Sequence, residues 1–388
     1  MRTIPDISVH LRRIDQIILH EFIPSITGGI QVNEVERKLI SLPTKYGGLG
    51  IPIFEDQSPI EYSNSRSITS HLCDAIKSQT REFVPDPNLN KKKSAIRKQK
   101  LDNIKSTLQR LDTLLNVDQK RLLSLNQEHG ASSWLSTLPL ESEGYHLSKQ
   151  CFQDLLRIRY GWPLPRTPTT CECGSLFSLD HALSCKKGGF ISLRHNKLRN
   201  FLAKSMKEVC HDVQIEPPLQ TLVGVENLPK SSVKSDEARL DVSARGFWVT
   251  GQKAFFDIRV FNPLAKRYVS LEPQRCYTLN EVEKKRHYNN RVIEVEHGSL
   301  TPMVFSATGG YGRECGKAIR RLASMLSEKK HSRYSETMSW LTRKINFSLI
   351  KSIHLCFRGS RSVSPLRTTE QDIVFCPSVT ESFSRINL

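Results

Sequence analysis

The apolar positions of this chain change their period part-way along. Near the start they recur at helical spacing, with Ile7, Leu11, Ile14 and Ile18 forming one apolar face. Pro24 and the Gly28-Gly29 pair close that stretch. Val35-Glu36-Arg37-Lys38-Leu39-Ile40 then leads into Leu42-Pro43-Thr44-Lys45-Tyr46-Gly47-Gly48-Leu49-Gly50-Ile51. Glycines this dense after a proline cannot continue a helix; they predict a tight loop that brings the backbone close to another group. Val84-Pro85-Asp86-Pro87-Asn88 breaks the chain again. From Lys91 to about Leu125, Ile104, Leu108, Leu111, Leu115 and Leu122 predict an amphipathic helix or helix pair. A turn carrying Trp134 follows, then another helix through Phe152, Leu155 and Ile158.

After Pro168 the pattern shifts towards strands. Arg239 to Ala244, Ala254 to Phe261, Val292 to Val295 and Pro302 to Ser306 read as strands. Helices are expected over Leu193–Val209, Val282–Asn290, Ala318–Lys329 and Tyr334–Ile350. The expected fold class is α+β, a helical N-terminal half joined to a C-terminal α/β core of modest size. The segments read as 1–85 helical, 86–168 a basic helical linker, 169–190 cysteine-rich, 191–362 the α/β core, and 363–388 a Ser/Arg-rich tail with the composition of a disordered segment.

Charge changes this picture. Across 388 residues, Lys+Arg 57 against Asp+Glu 39 leaves a net charge of +18. Such a surplus suits a polyanionic partner, nucleic acid first and an anionic membrane surface second. Lys91, Lys92, Lys93, Arg97 and Lys98 concentrate it on one helix, where they either contact phosphates or form an ordinary solvated face. No apolar stretch approaches the roughly 18 residues of a membrane span, so no membrane partner is expected. The opening residues lack a secretory pattern, and the ten cysteines are too sparse for a disulfide scaffold. An intracellular, reducing location is expected.

Four of the chain's soft ligands cluster. Cys171-Glu-Cys173, His181 and Cys185 fall within fifteen positions and match a closed Cys3His zinc site, with Gly174 supplying the turn of a knuckle. A single residue between the first two cysteines is shorter than the common spacing. The competing reading is a chance group of buried thiols. Such a site is structural, because no ligand position stays open for water.

The α/β core carries the other candidate chemistry. Asp241 ends Arg239-Leu240-Asp241, and Asp257 interrupts the apolar run Ala254-Phe255-Phe256-Asp257-Ile258-Arg259-Val260. A charged aspartate in a buried strand is costly unless paired or metal-bound. Two carboxylates on adjacent strands can hold Mg²⁺ or Mn²⁺, with Lys284 or Lys285 beside the scissile phosphate. Spacing alone equally allows a strand-end ion pair of Asp257 and Arg259. Glu208 is a candidate third acid, for which plain solvation is the simpler role.

These stretches together resemble the C-terminal part of the open reading frames of early-branching non-LTR retrotransposons with a restriction-enzyme-like endonuclease. The resemblance covers roughly Arg2 to Ser362. The stretch from Glu36 to Ile51 is similar to the end of a reverse-transcriptase thumb. The Cys3His cluster, followed by Gly188-Gly189-Phe190 and Arg194-His195-Asn196, is similar to the zinc knuckle leading into the endonuclease. Arg239-Leu-Asp241, Asp257-Ile-Arg259-Val and Lys284 are similar to a PD-(D/E)xK motif whose lysine has migrated to the following helix. Leu240 replaces the usual proline, and Arg259 stands where the wider superfamily has lysine. The resemblance implies Asp241, Asp257, Lys284 and Lys285 as catalytic residues, and zinc plus Mg²⁺ or Mn²⁺ as cofactors. It also implies DNA and the element's RNA as partners, Arg194, His195, Arg239 and Arg259 as nucleic-acid contacts, and a nuclear location. No Asp-Asp pair and no palm stretch precede the thumb-like segment. The expectation is therefore a nuclease fragment without its own polymerase, or a non-catalytic nucleic-acid-binding remnant.

Overall fold

A computed structural model describes residues 2–80, 86–222 and 228–361. The tail expected over 363–388 lies outside the described residues, as does the Val84-Pro85 break. The protein is α+β and divides into two compact units, residues 1–123 with 156–162, and residues 124–155 with 163–388.

The first unit is helical. Helix α1 (Ser8–Ile17) continues through a π-turn (Ile18–Phe22) into α2 (Ile23–Thr27), which Gly28 ends in the left-handed conformation at φ +74°. Helix α3 (Glu34–Ser41) starts at a capping box in which Asn33 and Glu36 satisfy each other's backbone amides. Next come α4 (Phe54–Lys77), α5 (Leu89–Leu114), and α6 (Val117–Asn126), whose end enters the second unit. Ile23, Leu39, Ile40, Leu42, Leu111 and Trp162 share one apolar core.

The glycine loop folds back onto its own helix. Leu49 N donates to Ile40 O, and Gly50 N donates to Leu42 O. A Cβ on Gly48 would overlap the Leu42 carbonyl oxygen, so only glycine fits there. The close approach expected from the sequence is thus to the end of α3. Tyr160 seals it, donating its hydroxyl to Gly47 O at 3.2 Å.

The second unit holds a four-stranded sheet in the order β1 (His211–Ile215), β2 (Val242–Arg245), β3 (Lys253–Phe261), β4 (Ser299–Ser306). Strands β1–β2 and β2–β3 are antiparallel, and β3–β4 are parallel. A parallel pair needs a crossover, supplied here by α10 (Lys266–Val269) and α11 (Pro273–Glu294). Before the sheet come α7 (Lys149–Tyr160), whose residues from Leu156 on belong to the first unit, α8 (Leu179–Ser184) and α9 (Phe190–Lys207); after it come α12 (Arg313–Lys329) and α13 (Tyr334–Arg358). Ala254, Phe256 and Ile258 join Leu198, Leu202, Leu322 and Leu341 in the main core.

Two strand assignments differ from expectation. Val292 to Val295, read as a strand, is the last turn of α11 and its C-cap Val295, with Val292 fully buried in a cluster with Phe255 and Leu300. A short β-branched run in a helix's buried stripe looks the same as a strand. Strand β1 escapes the sequence because, as an exposed sheet edge, His211-Asp-Val-Gln-Ile215 carries no apolar run.

Candidate functional site

Strand β3 sorts its side chains by alternation. Ala254, Phe256 and Ile258 enter the main core, while Phe255 and Phe261 join clusters built with α11, through Val292 and through Cys276 and Tyr277. Period two places Asp257 on the α11 side, between Phe255 and Arg259. There it is only 5% exposed. Lys284, projecting from α11, donates to Asp257 Oδ1 at 3.0 Å and lies 2.9 Å from Oδ2 as an ion pair. Oδ2 itself has no hydrogen-bond partner. Burial pushes the Asp257 carboxyl up to about 6; the Asp241 charge adds to this, and Lys284 opposes it.

Asp241 sits one residue ahead of β2. Its Oδ2 accepts the Ile258 amide at 2.6 Å, which ties it to the residue after Asp257. His195, on α9, brings Nε2 within 3.2 Å of the same Oδ2 and 3.1 Å of the Ile258 carbonyl oxygen. Both neighbours are acceptors, so Nε2 carries the proton. The Asp241 hydrogen bond raises the pKa of His195 against the effect of burial. Burial by itself would lift the Asp241 carboxyl, yet the His195 bond and charge and the Ile258 amide hold it below the usual carboxylate value.

The approach to Asp241 is anchored by a residue that sequence reasoning missed. Arg291, fully buried on α11, donates to Val233 O (3.1 Å), Ser235 O (2.8 Å) and Gln220 O (2.8 Å). It lies seven positions after Lys284, hence on the same helical face. That spacing was the available signal. The approach of His195 to Asp241 had no such local trace, since their partnership joins separate elements.

The other expected residues are placed as follows. Lys285 pairs with Glu314 at 3.6 Å, while Lys284 is the lysine that meets Asp257. Arg259 pairs with Glu283 at 3.0 Å, which removes the alternative Asp257–Arg259 ion pair. Glu208 pairs with Lys330 at 2.7 Å. Arg239 is exposed. Arg194, expected as a phosphate contact, is buried and donates to the Val260 carbonyl at 3.4 Å, so it is not at the surface. On α5, Lys91, Lys93, Arg97 and Lys98 are exposed, and Lys92 pairs with Asp86 at 2.9 Å.

A second constellation forms where the cysteines cluster. Thr170 bridges Leu176, and Gly174, at φ +85°, turns the chain so that its amide reaches Cys171 O. That turn compensates for the short Cys171–Cys173 spacing. Ser178 caps α8 by accepting from the His181 amide, which sets His181 and Cys185 one turn apart. The ligand atoms of Cys171, Cys173, His181 and Cys185 all lie within 4.8 Å of one another, a set that could hold a metal ion. Among the described residues no other group of three or more His, Cys, Asp or Glu side chains gathers in this way. The Cys173 thiol is lowered to about 6, chiefly by hydrogen bonds from Ser175, while burial raises Cys185. A thiol already ionised near neutrality suits metal binding.

Compared with known proteins, the chain matches no family model and no curated protein.

Proposed function

We propose that this chain is a metal-dependent DNA endonuclease of the retrotransposon type, its fold braced by a zinc knuckle and its action nuclear. The carrying observation is the meeting of Asp241, Asp257 and Lys284 at β2, β3 and α11, with the buried Asp257 carboxylate held between Lys284 and the charge of Asp241. Burial and a like charge keep the Asp257 carboxyl up near pKa 6 even with Lys284 beside it, and a perturbed acid of this kind is what catalytic sites often contain. Asp241 and Asp257 offer the hard oxygen donors that Mg²⁺ or Mn²⁺ prefers. Such an ion, when bound, supplies Lewis acidity and an activated water. Lys284 holds the Asp257 carboxylate and presents positive charge where a phosphodiester would lie, which offsets charge developing on the phosphate. The Ile258 amide and the His195 ring fix Asp241, and Arg291 holds the segment that precedes it by the Val233 and Ser235 carbonyls.

For the knuckle, the distances support zinc. Cys171 Sγ to Cys185 Sγ is 3.9 Å and Cys173 Sγ to His181 Nε2 is 3.3 Å. Edges of a tetrahedron with Zn–S near 2.3 Å and Zn–N near 2.0 Å are about 3.5 to 3.8 Å. With all four positions filled by protein, the metal's role is structural.

A second reading is a nucleic-acid-binding protein without catalysis, favoured by one observation: each carboxylate already has a protein partner, the Lys284 ammonium on Asp257 and the His195 ring N–H on Asp241. Supercoiled plasmid incubated with the zinc-loaded chain and Mg²⁺ or Mn²⁺ separates the two. The nuclease yields nicked circles that disappear with EDTA or with Asp257→Ala. Intact plasmid, bound by a folded chain in either metal, selects the second reading.

A further inference from the structure

Between α9 and α13, in the second unit, lies a cavity of about 380 Å³ whose mouth is open. Helix α9 lines it with Lys197, Phe201 and Lys204, spaced four and three residues apart and therefore on one face. Helix α13 adds Lys344, Phe347 and Lys351 by the same spacing, and the 143–145 loop adds Tyr145. Aromatic rings thus sit within a rim of ammonium groups. Tyr145 and Phe347 pack at 4.8 Å between ring centroids. Lys344 lies 5.0 Å from the Tyr145 ring centroid and is steadied by Glu143, through its carbonyl at 2.7 Å and its carboxylate at 3.0 Å. Lys351 donates to Gly144 O at 2.8 Å.

The charges are unbalanced. Glu143 is the single acid among the lining residues, against four lysines. Burial lowers the pKa of Lys351; Cys151 opposes this, and the charges of Lys197 and Lys344 add to it. Lys197 and Lys204 are exposed at the mouth and form no ion pair among the described residues.

We infer that this cavity binds one nucleotide of a single-stranded segment, with the base against the partly exposed Phe201 and the phosphates on Lys197 and Lys204. An inorganic anion would satisfy Lys197 and Lys204 and leave the Phe201 ring uncovered, whereas an uncharged aromatic ligand would leave those two lysines uncompensated. A nucleotide meets both, and stacked bases on aromatic platforms beside a cationic track are how single strands are generally held. The site is separate from the carboxylate pair. His195 and Lys197 are two positions apart on α9, which turns their side chains about 200° from each other. Because His195 faces Asp241, the cavity opens on the opposite side of the helix, and its occupant is not the nucleotide at the carboxylates.

The inference rests on the reading of the chain as a nucleic-acid protein but not on cleavage, so nicking is an independent readout. The test is fluorescence anisotropy of the full, zinc-loaded chain with a labelled short oligothymidylate and, separately, with a duplex of equal length. Lys197→Glu with Lys204→Glu is expected to weaken single-strand binding by about tenfold or more, and Phe201→Ala by about tenfold. Duplex binding should change by less than about threefold in both. Thymidine monophosphate should displace the oligonucleotide at concentrations where inorganic phosphate does not. Unchanged single-strand affinity in the lysine variant, whose exposed positions spare the core, would overturn the inference. So would equal loss for duplex and single strand, or displacement by phosphate as effective as by the mononucleotide. Should Phe201→Ala unfold, the lysine variant and the competition still decide.

Discussion

Asp257 concentrates the tension in this molecule, because a charged carboxylate there is buried beside a second one. Its pKa of about 6 lies above the roughly 3.9 of an unfolded aspartate. The folded state therefore binds more protons than the unfolded chain between these values. Its stabilising contribution is complete below about pH 4 and is lost as pH rises through 6. With no divalent cation present, Asp257→Asn should thus be more stable than the parent at pH 7 to 8, by the order of 1–3 kcal/mol, with the gap shrinking towards pH 5. Urea denaturation in EDTA at several pH values measures this; a variant less stable at pH 8 than at pH 5, relative to parent, would contradict it. Gly48 makes a simpler case. Its missing Cβ would overlap the Leu42 carbonyl, so Gly48→Ala should cost about 1–3 kcal/mol or more in the same assay. Asp257 was legible in the sequence because an acid interrupts an otherwise apolar strand. The tight loop at Gly48 was legible too, though not its partner. The His195–Asp241 contact was not, since no periodicity encodes a pairing between α9 and the start of β2.

At the scale of elements, α11 is both the crossover between β3 and β4 and the carrier of the site's cations. Arg291 satisfies the carbonyls of Gln220, Val233 and Ser235, so Arg291→Met leaves buried acceptors unmade. A loss of about 3 kcal/mol or more is expected, together with weaker nicking, while zinc content stays unchanged. Elemental analysis and denaturation check both parts. The knuckle makes a converse prediction. Cys185→Ser should abolish the one zinc per chain, and Co²⁺ reconstitution of the parent should give the absorption of a tetrahedral thiolate site. The knuckle was legible because all its ligands fall in one short stretch of chain. Helix α11 was read only in part. Its final turn, Val292 to Val295, looked like a strand, since four residues are too few to distinguish a buried helical stripe from an apolar strand. Strand β1 was invisible for the opposite reason, as an edge strand needs no apolar side chains to complete its ladder.

At the scale of the whole molecule, the net charge of +18 sets the expected mode of association. Binding to duplex DNA should weaken steeply with salt. Replacing Lys91, Lys93 and Arg97 by Glu should lower the log–log slope by roughly 0.9 for each phosphate that these side chains neutralise. A slope unmoved by these changes would mark the α5 lysines as an ordinary solvated face. The central claim is narrower than charge, for it places hydrolysis at one carboxylate pair. Its most direct measurement compares the parent with Asp257→Asn on the same supercoiled plasmid, following nicking in Mg²⁺ or Mn²⁺ and binding across a salt series. The prediction is equal binding with the same salt dependence, and nicking by the parent alone. A variant that nicks at the parent's rate, or a bound and zinc-loaded parent that nicks in neither metal, would contradict it.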